Sequence, residues 1–291
     1  MRYRSAPLDP ELQGHYLRRL GLSAEPPSLD ALQRLHRRHV ERVPYETIWI
    51  HSGETWGINP LDSVVRIALE SRGGYCYHLN GAFGALLRSL GYEVADHAGG
   101  VHGPEGPNSG TMGNHLVLTV SRLPTIENPS GVWYVDVGLG DALYQALPLV
   151  AATYEQEPWC LTLDSNGTDE WHLSHDPEGG FVGMSWSTAE ASVGDLISMH
   201  EWLSTSPASG FVQVAMAQHR DASGVDVIRG LVPIRVGSGA HTGEPLTNRD
   251  DWFALLAEMF DIRFDGDSPE VLDHLWNRVS TQHRSWEAGK G

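Results

Sequence analysis

The apolar residues of this chain change period along its length, and that switch limits the possible architectures more than any other feature. To about residue 95 they recur at helical spacing. Asp9-Pro10 offers an N-cap and a proline at the first helical position; Leu12, Tyr16, Leu17 and Leu20 then share a face, and Gly21 ends the run. After Pro26-Pro27, Ser28 caps a second helix with Leu29, Leu32, Leu35, His39 and Val43 on or near one stripe. A third helix runs through Val64, Val65, Ala68 and Leu69. A fourth follows Cys76 with Phe83, Leu86, Leu87 and Leu90, and stops at Gly91. Further on the chain reads as short strands. Residues 115–120 and 132–137 are rich in β-branched and aromatic side chains, with a long hairpin connection between them, and more strands are expected at 159–163, 170–173 and 181–184. From about residue 205 both periods mix. Strands are expected at 211–217 and 225–235, the latter turning at Gly230, before helices capped by Asn248 and opened by Ser268-Pro269. The fold class is therefore α+β in three stretches: a helical bundle at 1–95, a small antiparallel sheet or barrel at 96–204, and an α/β unit at 205–291. No repeat or long linker separates them, so they are expected to pack closely.

Charge and cysteine usage narrow the function. Lys plus Arg number 20 against 37 Asp plus Glu, a net charge of -17. Nucleic-acid binding relies on clustered cations that neutralise phosphates, so that class is excluded, and an anionic membrane is a poor partner for the same reason. No apolar run approaches the roughly 18 residues of a membrane span. The opening residues lack the apolar stretch of a signal peptide, and two cysteines, Cys76 and Cys160, cannot supply a disulfide framework. The expected location is the cytoplasm.

One cysteine stands in a chemically suggestive place. Arg72-Gly73-Gly74-Tyr75-Cys76 leads straight into the fourth helix, so two glycines permit a tight turn and the thiol falls in the first helical turn. The unsatisfied N–H groups and positive dipole end there favour a thiolate, and the same N–H groups can serve as an oxyanion hole. A buried, inert thiol is the alternative. Cys160, within Trp159-Cys160-Leu161, is expected in the core.

A thiolate nucleophile needs an imidazole, and the imidazole an orienting carboxylate. His78 lies two residues past Cys76, about 200° around the same helix, and faces away. His36 and His39 share a helix face without an acidic or thiol ligand nearby, so a solvated basic surface is expected there and no metal site. His115 differs, because it opens an otherwise apolar strand. Asp136 likewise interrupts Val135-Asp136-Val137 on a strand expected to pair with it. A buried carboxylate needs a donor, and His115 is a natural one. Gly138-Leu139-Gly140 follows directly, where glycines permit close approach of a ligand or another backbone. Arg72 and Glu46 are candidates for an ion pair supporting the cysteine turn, or for two unrelated surface charges.

Taken in order, residues 72–81, the strand opening at His115, and Val135-Asp136-Val137-Gly138-Leu139-Gly140 resemble the arylamine N-acetyltransferase family. Pro44-Tyr45-Glu46 upstream, Leu147-Pro148-Leu149 after the Asp strand and Ser204-Thr205-Ser206-Pro207 extend the resemblance over nearly the whole chain. It implies a helical bundle, a β-barrel and an α/β lid, with a papain-like triad of Cys76, His115 and Asp136. It also implies a ping-pong reaction from acetyl-CoA, a co-substrate rather than a permanently bound cofactor, to a small-molecule arylamine or hydrazine. Tyr75, Gly138, Leu139 and Gly140 would line the acyl-donor and substrate pocket, with Arg72 and Glu46 in support. The chain departs from the family pattern at His78, Thr47, Leu139 and Asn114, where Glu, Asn, Phe and Thr are usual. Some bacterial relatives are amide synthases that take a longer acyl chain from a carrier protein, so an acyl carrier protein is the alternative donor. Either donor is anionic, and residues 1–45, with eight Arg against five acids, are the expected docking face.

Overall fold

The computed structural model describes residue 3 and residues 7–108, 110–167 and 169–288. Five helices and a short strand come first: α1 (Pro10–Leu20), α2 (Leu29–Arg42), β1 (Tyr45–Glu46), α3 (Ile48–Ser52), α4 (Pro60–Leu69) and α5 (Cys76–Ser89). Strands follow: β2 (Glu93–His102), β3 (His115–Ser121), β4 (Trp133–Val135), β5 (Leu147–Pro148), β6 (Ala152–Gln156), β7 (Trp159–Ser165), β8 (Glu170–Ser174) and β9 (Gly183–Ser187). The rest mixes α6 (Val193–Thr205), α7 (Gly210–Gln213), β10 (Met216–Arg220), β11 (Gly224–Arg229), β12 (Val232–Gly237), β13 (His241–Thr242), α8 (Arg249–Phe260) and α9 (Pro269–Ala288). Strands β2 to β9 form one antiparallel sheet in the order β5-β4-β3-β2-β9-β8-β7-β6, nearly closed as a barrel. The remaining sheet, β1-β10-β11-β12-β13, takes its first strand from the helical part. Among the described residues no helix is long and apolar enough to cross a membrane.

The caps act as their chemistry requires. Asp9, Ser28, Asn59 and Asn248 each accept a backbone N–H of the helix they precede, and Gly21 closes α1 in the left-handed region at φ 69°. Helix α5 is the keel of the molecule, with twelve of its fourteen residues buried. Its Phe83, Leu86 and Leu87 join Leu17, Leu20 and Leu32 on one side and Leu118, Val120 and Val135 of the sheet on the other. A further core fills the interior of the large sheet, including Val117, Tyr134, Trp159, Leu161, Met184 and Trp186. Strand β3 has a core on each face, which is why its sequence is an apolar run rather than an alternation.

Several expectations are corrected. Residues 93–102, which straddle the expected boundary near 95 and hold none of the expected strands, form β2. Its Gly99 accepts no side chain because a Cβ would meet Val117 Cγ2 at 2.8 Å. Residues 211–217 are divided between α7 and β10. Residues 181–184 meet the strand only from Gly183, and α6 went unread because Leu196 and His200 are its only buried side chains. Cys160 is exposed, since Trp159 and Leu161 on either side of it in β7 point inward. His36 and His39 are fully buried on the packed face of α2, edge-on to Phe83. Of the eight early arginines, Arg2 and Arg4 lie outside the described residues. Arg19, Arg34 and Arg38 are held by Asp261, Glu25 and Glu41, so that face is less basic than its count.

Phe83 fills the space between α2, α5 and the two histidine rings. Phe83→Ala is expected to lower stability by about 3–5 kcal/mol, as large aromatic truncations in closed cores do, read as a lower urea midpoint at unchanged slope.

Candidate active site

The turn before α5 is built by close backbone approach. A Cβ on Gly73 would lie 1.8 Å from the Pro44 carbonyl oxygen, and Gly74 adopts φ 126°, so neither position accepts a side chain. The Glu46 N–H donates to the Gly74 carbonyl at 2.9 Å, fastening the turn to β1. Beneath it Glu46, wholly buried, receives Arg72 Nε at 3.0 Å, Arg72 Nη2 at 3.4 Å and the Trp49 N–H at 3.3 Å; Arg72 also reaches Glu54 at 3.2 Å. His78 stands three residues after the N-cap and accepts the Tyr75 N–H on Nδ1 at 3.3 Å, the reach-back contact of a capping box. Its ring packs edge-on to Trp49 and Trp56, and burial, reinforced by Arg66, holds its pKa well below the usual value and the ring neutral.

Cys76 begins α5, almost fully buried, with Sγ 3.5 Å from the Asn114 carbonyl oxygen. The Asn114 side chain exchanges two 2.8 Å hydrogen bonds with the Val101 backbone, which fixes β2 against the residue preceding His115. The β3–β4 register pairs Leu118 with Val135, and carried one step further it sets Asp136 opposite Val117, diagonal to His115 on the same face. His115 Nε2 accordingly donates to Asp136 Oδ2 at 2.7 Å, and the ring lines the same cavity as Cys76. Cys76, His115 and Asp136, separated in sequence, are thus brought to one place in the fold.

Asp136 carries the most crowded carboxylate of the site. Besides His115, Oδ2 accepts Tyr134 Oη at 2.9 Å, and Oδ1 accepts Asn80 Nδ2 at 2.8 Å and the Gly138 N–H at 3.0 Å. Burial alone would raise its pKa, but the His115 charge and these donors hold it below the ordinary carboxylate value. Burial would likewise depress His115, yet Asp136 and Cys76 push it up to about 10. Asn80, one turn along α5 from Cys76, also donates to the Leu116 carbonyl at 2.6 Å and accepts the Val137 N–H at 2.9 Å. Sequence reasoning missed both Asn80 and Tyr134. Their signals were the i, i+4 spacing from Cys76 and the i, i-2 spacing from Asp136. His36, expected at the surface, sits behind the site with Nε2 3.0 Å from the Asp136 carbonyl, and burial drives its pKa down to about 4.

Cys76 and His115 open onto a cavity of about 300 Å³, whose wall includes Tyr45, Gly138, Leu139, Asp141, Phe181 and Phe211. Gly138 is required there, because a Cβ would sit 2.7 Å from Cys76 Cα. Tyr75 and Gly140, expected in the pocket, are not among its lining residues. The Tyr75 ring is enclosed by Trp49, His78, His200 and Phe211, with Oη bonded to His200 Nδ1 at 2.7 Å. Gly140 turns at φ 78° with its Cα against the Gln218 side chain. Thr47 binds β10 instead of the cavity, its hydroxyl accepting the Met216 N–H at 3.1 Å.

The elevated His115 pKa makes stability pH-dependent with a definite sign. A group held above its unfolded value of about 6.5 contributes fully below that pH and loses its contribution as pH rises through about 10. The melting temperature is therefore expected to fall between pH 6.5 and 10, with a slope that His115→Gln lacks.

Residues 28–268 match the family model described as N-acetyltransferase. Over 157 residues the chain is 31% identical to the pineal gland isozyme NAT-3 of arylamine N-acetyltransferase from Gallus gallus, covering 53% of this chain and 51% of that enzyme. The chain thus spans about half the length of that relative. It is 29% identical over 211 residues to arylamine N-acetyltransferase from Mycolicibacterium smegmatis, covering 68% of this chain and 73% of that one. The structure of Mycobacterium marinum arylamine N-acetyltransferase in complex with CoA aligns with a TM-score of 0.78 at 26% identity, over 93% of this chain and 98% of that one. The chain belongs to the arylamine N-acetyltransferase family and is an enzyme of the acyltransferase class.

Proposed function

We propose that this protein moves an acetyl group from acetyl-CoA to the nitrogen of an arylamine or hydrazine through an S-acetyl-Cys76 intermediate. The carrying observation is that Cys76 and an Asp136-bonded His115 share the wall of a cavity large enough for a substituted aromatic ring. The CoA in the Mycobacterium marinum relative supports the choice of donor. In this reading no cofactor is permanently bound, the enzyme works in the cytoplasm, and the chain divides near residues 95 and 204. The helical part then contributes Cys76, and the large sheet contributes His115 and Asp136.

In the first half-reaction the Cys76 sulfur attacks the thioester carbonyl carbon. The bond from that carbon to the CoA sulfur breaks, and CoA leaves as a thiol with the proton from His115. Developing negative charge on the carbonyl oxygen falls near the first turn of α5, where a helix leaves N–H groups without intrahelical partners. In the second half-reaction the neutral acceptor nitrogen attacks the acetyl-cysteine carbon and gives a proton to His115, and the Cys76 sulfur departs as a thiolate. Asp136 keeps one ring nitrogen of His115 occupied, so the other faces sulfur throughout.

Intact-protein mass spectrometry after mixing with acetyl-CoA is expected to show one added acetyl group, absent in Cys76→Ala and discharged by an arylamine. Acetyl transfer retained by Cys76→Ala would falsify the mechanism. If Cys76 remained unmodified by acetyl-CoA yet loaded from an acyl carrier protein, the amide-synthase alternative would replace acetyl transfer.

A further inference from the structure

The cavity beside Cys76 holds a carboxylate that the acyl-transfer steps do not use. Asp141 follows the turn at Gly140 and is one of the cavity's lining residues, mostly removed from solvent. Its Oδ2 accepts the Gly180 N–H at 2.7 Å, while Oδ1 has only His175 Nε2 at 3.7 Å, beyond hydrogen-bond length. Among the described residues this is the sole ion-pair contact of Asp141.

None of the neighbouring titratable groups supplies a counter-charge in contact. The His175 ring is wedged between Trp159 and Phe181, and burial lowers its pKa despite the pull of Asp141, so it is neutral near pH 7. The buried Arg220 guanidinium attracts Asp141 through space but forms no ion pair with it, being turned onto backbone carbonyls, with Nε 3.2 Å from Ala142 O and Nη2 2.9 Å from Gln156 O. The charge of His115 is shared between Asp136 and Cys76. Tyr45 also faces Asp141 and, being a phenol, brings no positive charge. A carboxylate withdrawn from water without a cation in direct contact is incompletely compensated, and a ligand that brings one within hydrogen-bond reach relieves that cost. The rest of the wall includes Val101, Leu139, Phe181, Leu203, Phe211 and Met216, an apolar setting suited to an aromatic ring.

We propose that Asp141 makes this cavity selective for aryl acceptors that carry a second, cationic group, which pairs with Oδ1 while the neutral arylamine nitrogen faces Cys76. The inference rests on the arylamine reading above and extends it from the reacting nitrogen to the far end of the acceptor. Asp141 is then a specificity-determining residue, and the Gly180 N–H fixes the orientation of its carboxylate.

Calorimetric binding without any acyl donor tests recognition apart from turnover. The probes are 4-aminobenzylamine, cationic at pH 7 on its benzylic nitrogen, and 4-ethylaniline, its neutral isostere. The unsubstituted protein is expected to bind the cationic amine about tenfold or more tightly, as a charged hydrogen bond warrants. Asp141→Asn keeps an oxygen for Gly180 and is expected to abolish that preference while leaving the affinity for 4-ethylaniline unchanged. Equal binding of the two amines, no binding of 4-aminobenzylamine, or a preference surviving in Asp141→Asn overturns the proposal. A parallel loss for both amines also overturns it, because it marks Asp141 as a support of the Gly180 turn. The two-ligand comparison needs no variant, so it stands even if Asp141→Asn fails to fold. A protein that prefers the cationic amine but never acetylates either would refute the acetyltransferase reading and leave this one intact.

Discussion

Burying the Asp136 carboxylate in the middle of the molecule is possible only because four donors arrive at once, and the packing of the surrounding elements follows from that requirement. Removing a carboxylate from water costs several kcal/mol even after relaxation, so each donor has to be held in place. Asn80 comes from α5, His115 from β3, Tyr134 from β4, and the Gly138 N–H from the segment just beyond. A shift of α5 along the sheet by one residue would withdraw Asn80, and a slip of β3 on β4 would withdraw His115. The helix that carries the thiol and the sheet that carries the ring are therefore registered against each other by one buried charge. The reacting geometry and the helix–sheet interface share the same bonds.

The support of the cysteine turn works by the same logic with the signs reversed. Glu46 and Arg72 are both buried, and the pair holds because Arg72 also reaches Glu54 while the Trp49 N–H satisfies a remaining lone pair of Glu46. His78 takes the place that an acidic residue usually fills in such a cap. As a neutral ring accepting one N–H, it brings no further negative charge beside Cys76.

Much of this was legible in the residues. Helices α1, α2, α4 and α5 announce themselves by a 3.6-residue period, reinforced by side-chain caps at Asp9 and Ser28 and by Gly21 and Gly91. His115 and Asp136 stood out as polar interruptions of apolar strands. What the pattern hid were residues whose burial is compensated over long range. His36 bonds the carbonyls of Tyr144 and Asp136, 108 and 100 residues away, and His39 bonds Tyr16, so both are core despite their polarity. Strand β2 escaped because His97, Gly99 and Gly100 break its alternation, although the neighbouring strand leaves no room for a side chain at Gly99. For Cys160 the signal was present: strict alternation between Trp159 and Leu161 sends it outward.

The two-residue strand β1 has a consequence for how the molecule comes into being. Its inner edge holds the Gly74 turn, while its outer edge is closed by β10, and Thr47 meets Met216 across 169 residues of chain. On the ribosome, Cys76, His115 and Asp136 all emerge before that closing strand exists, so the nucleophile's turn stays unbraced through most of synthesis. A fragment ending short of Met216 would carry every reacting group and lack the strand that backs them. The three stretches of the chain are consequently not interchangeable modules: the last one finishes a wall begun by the first.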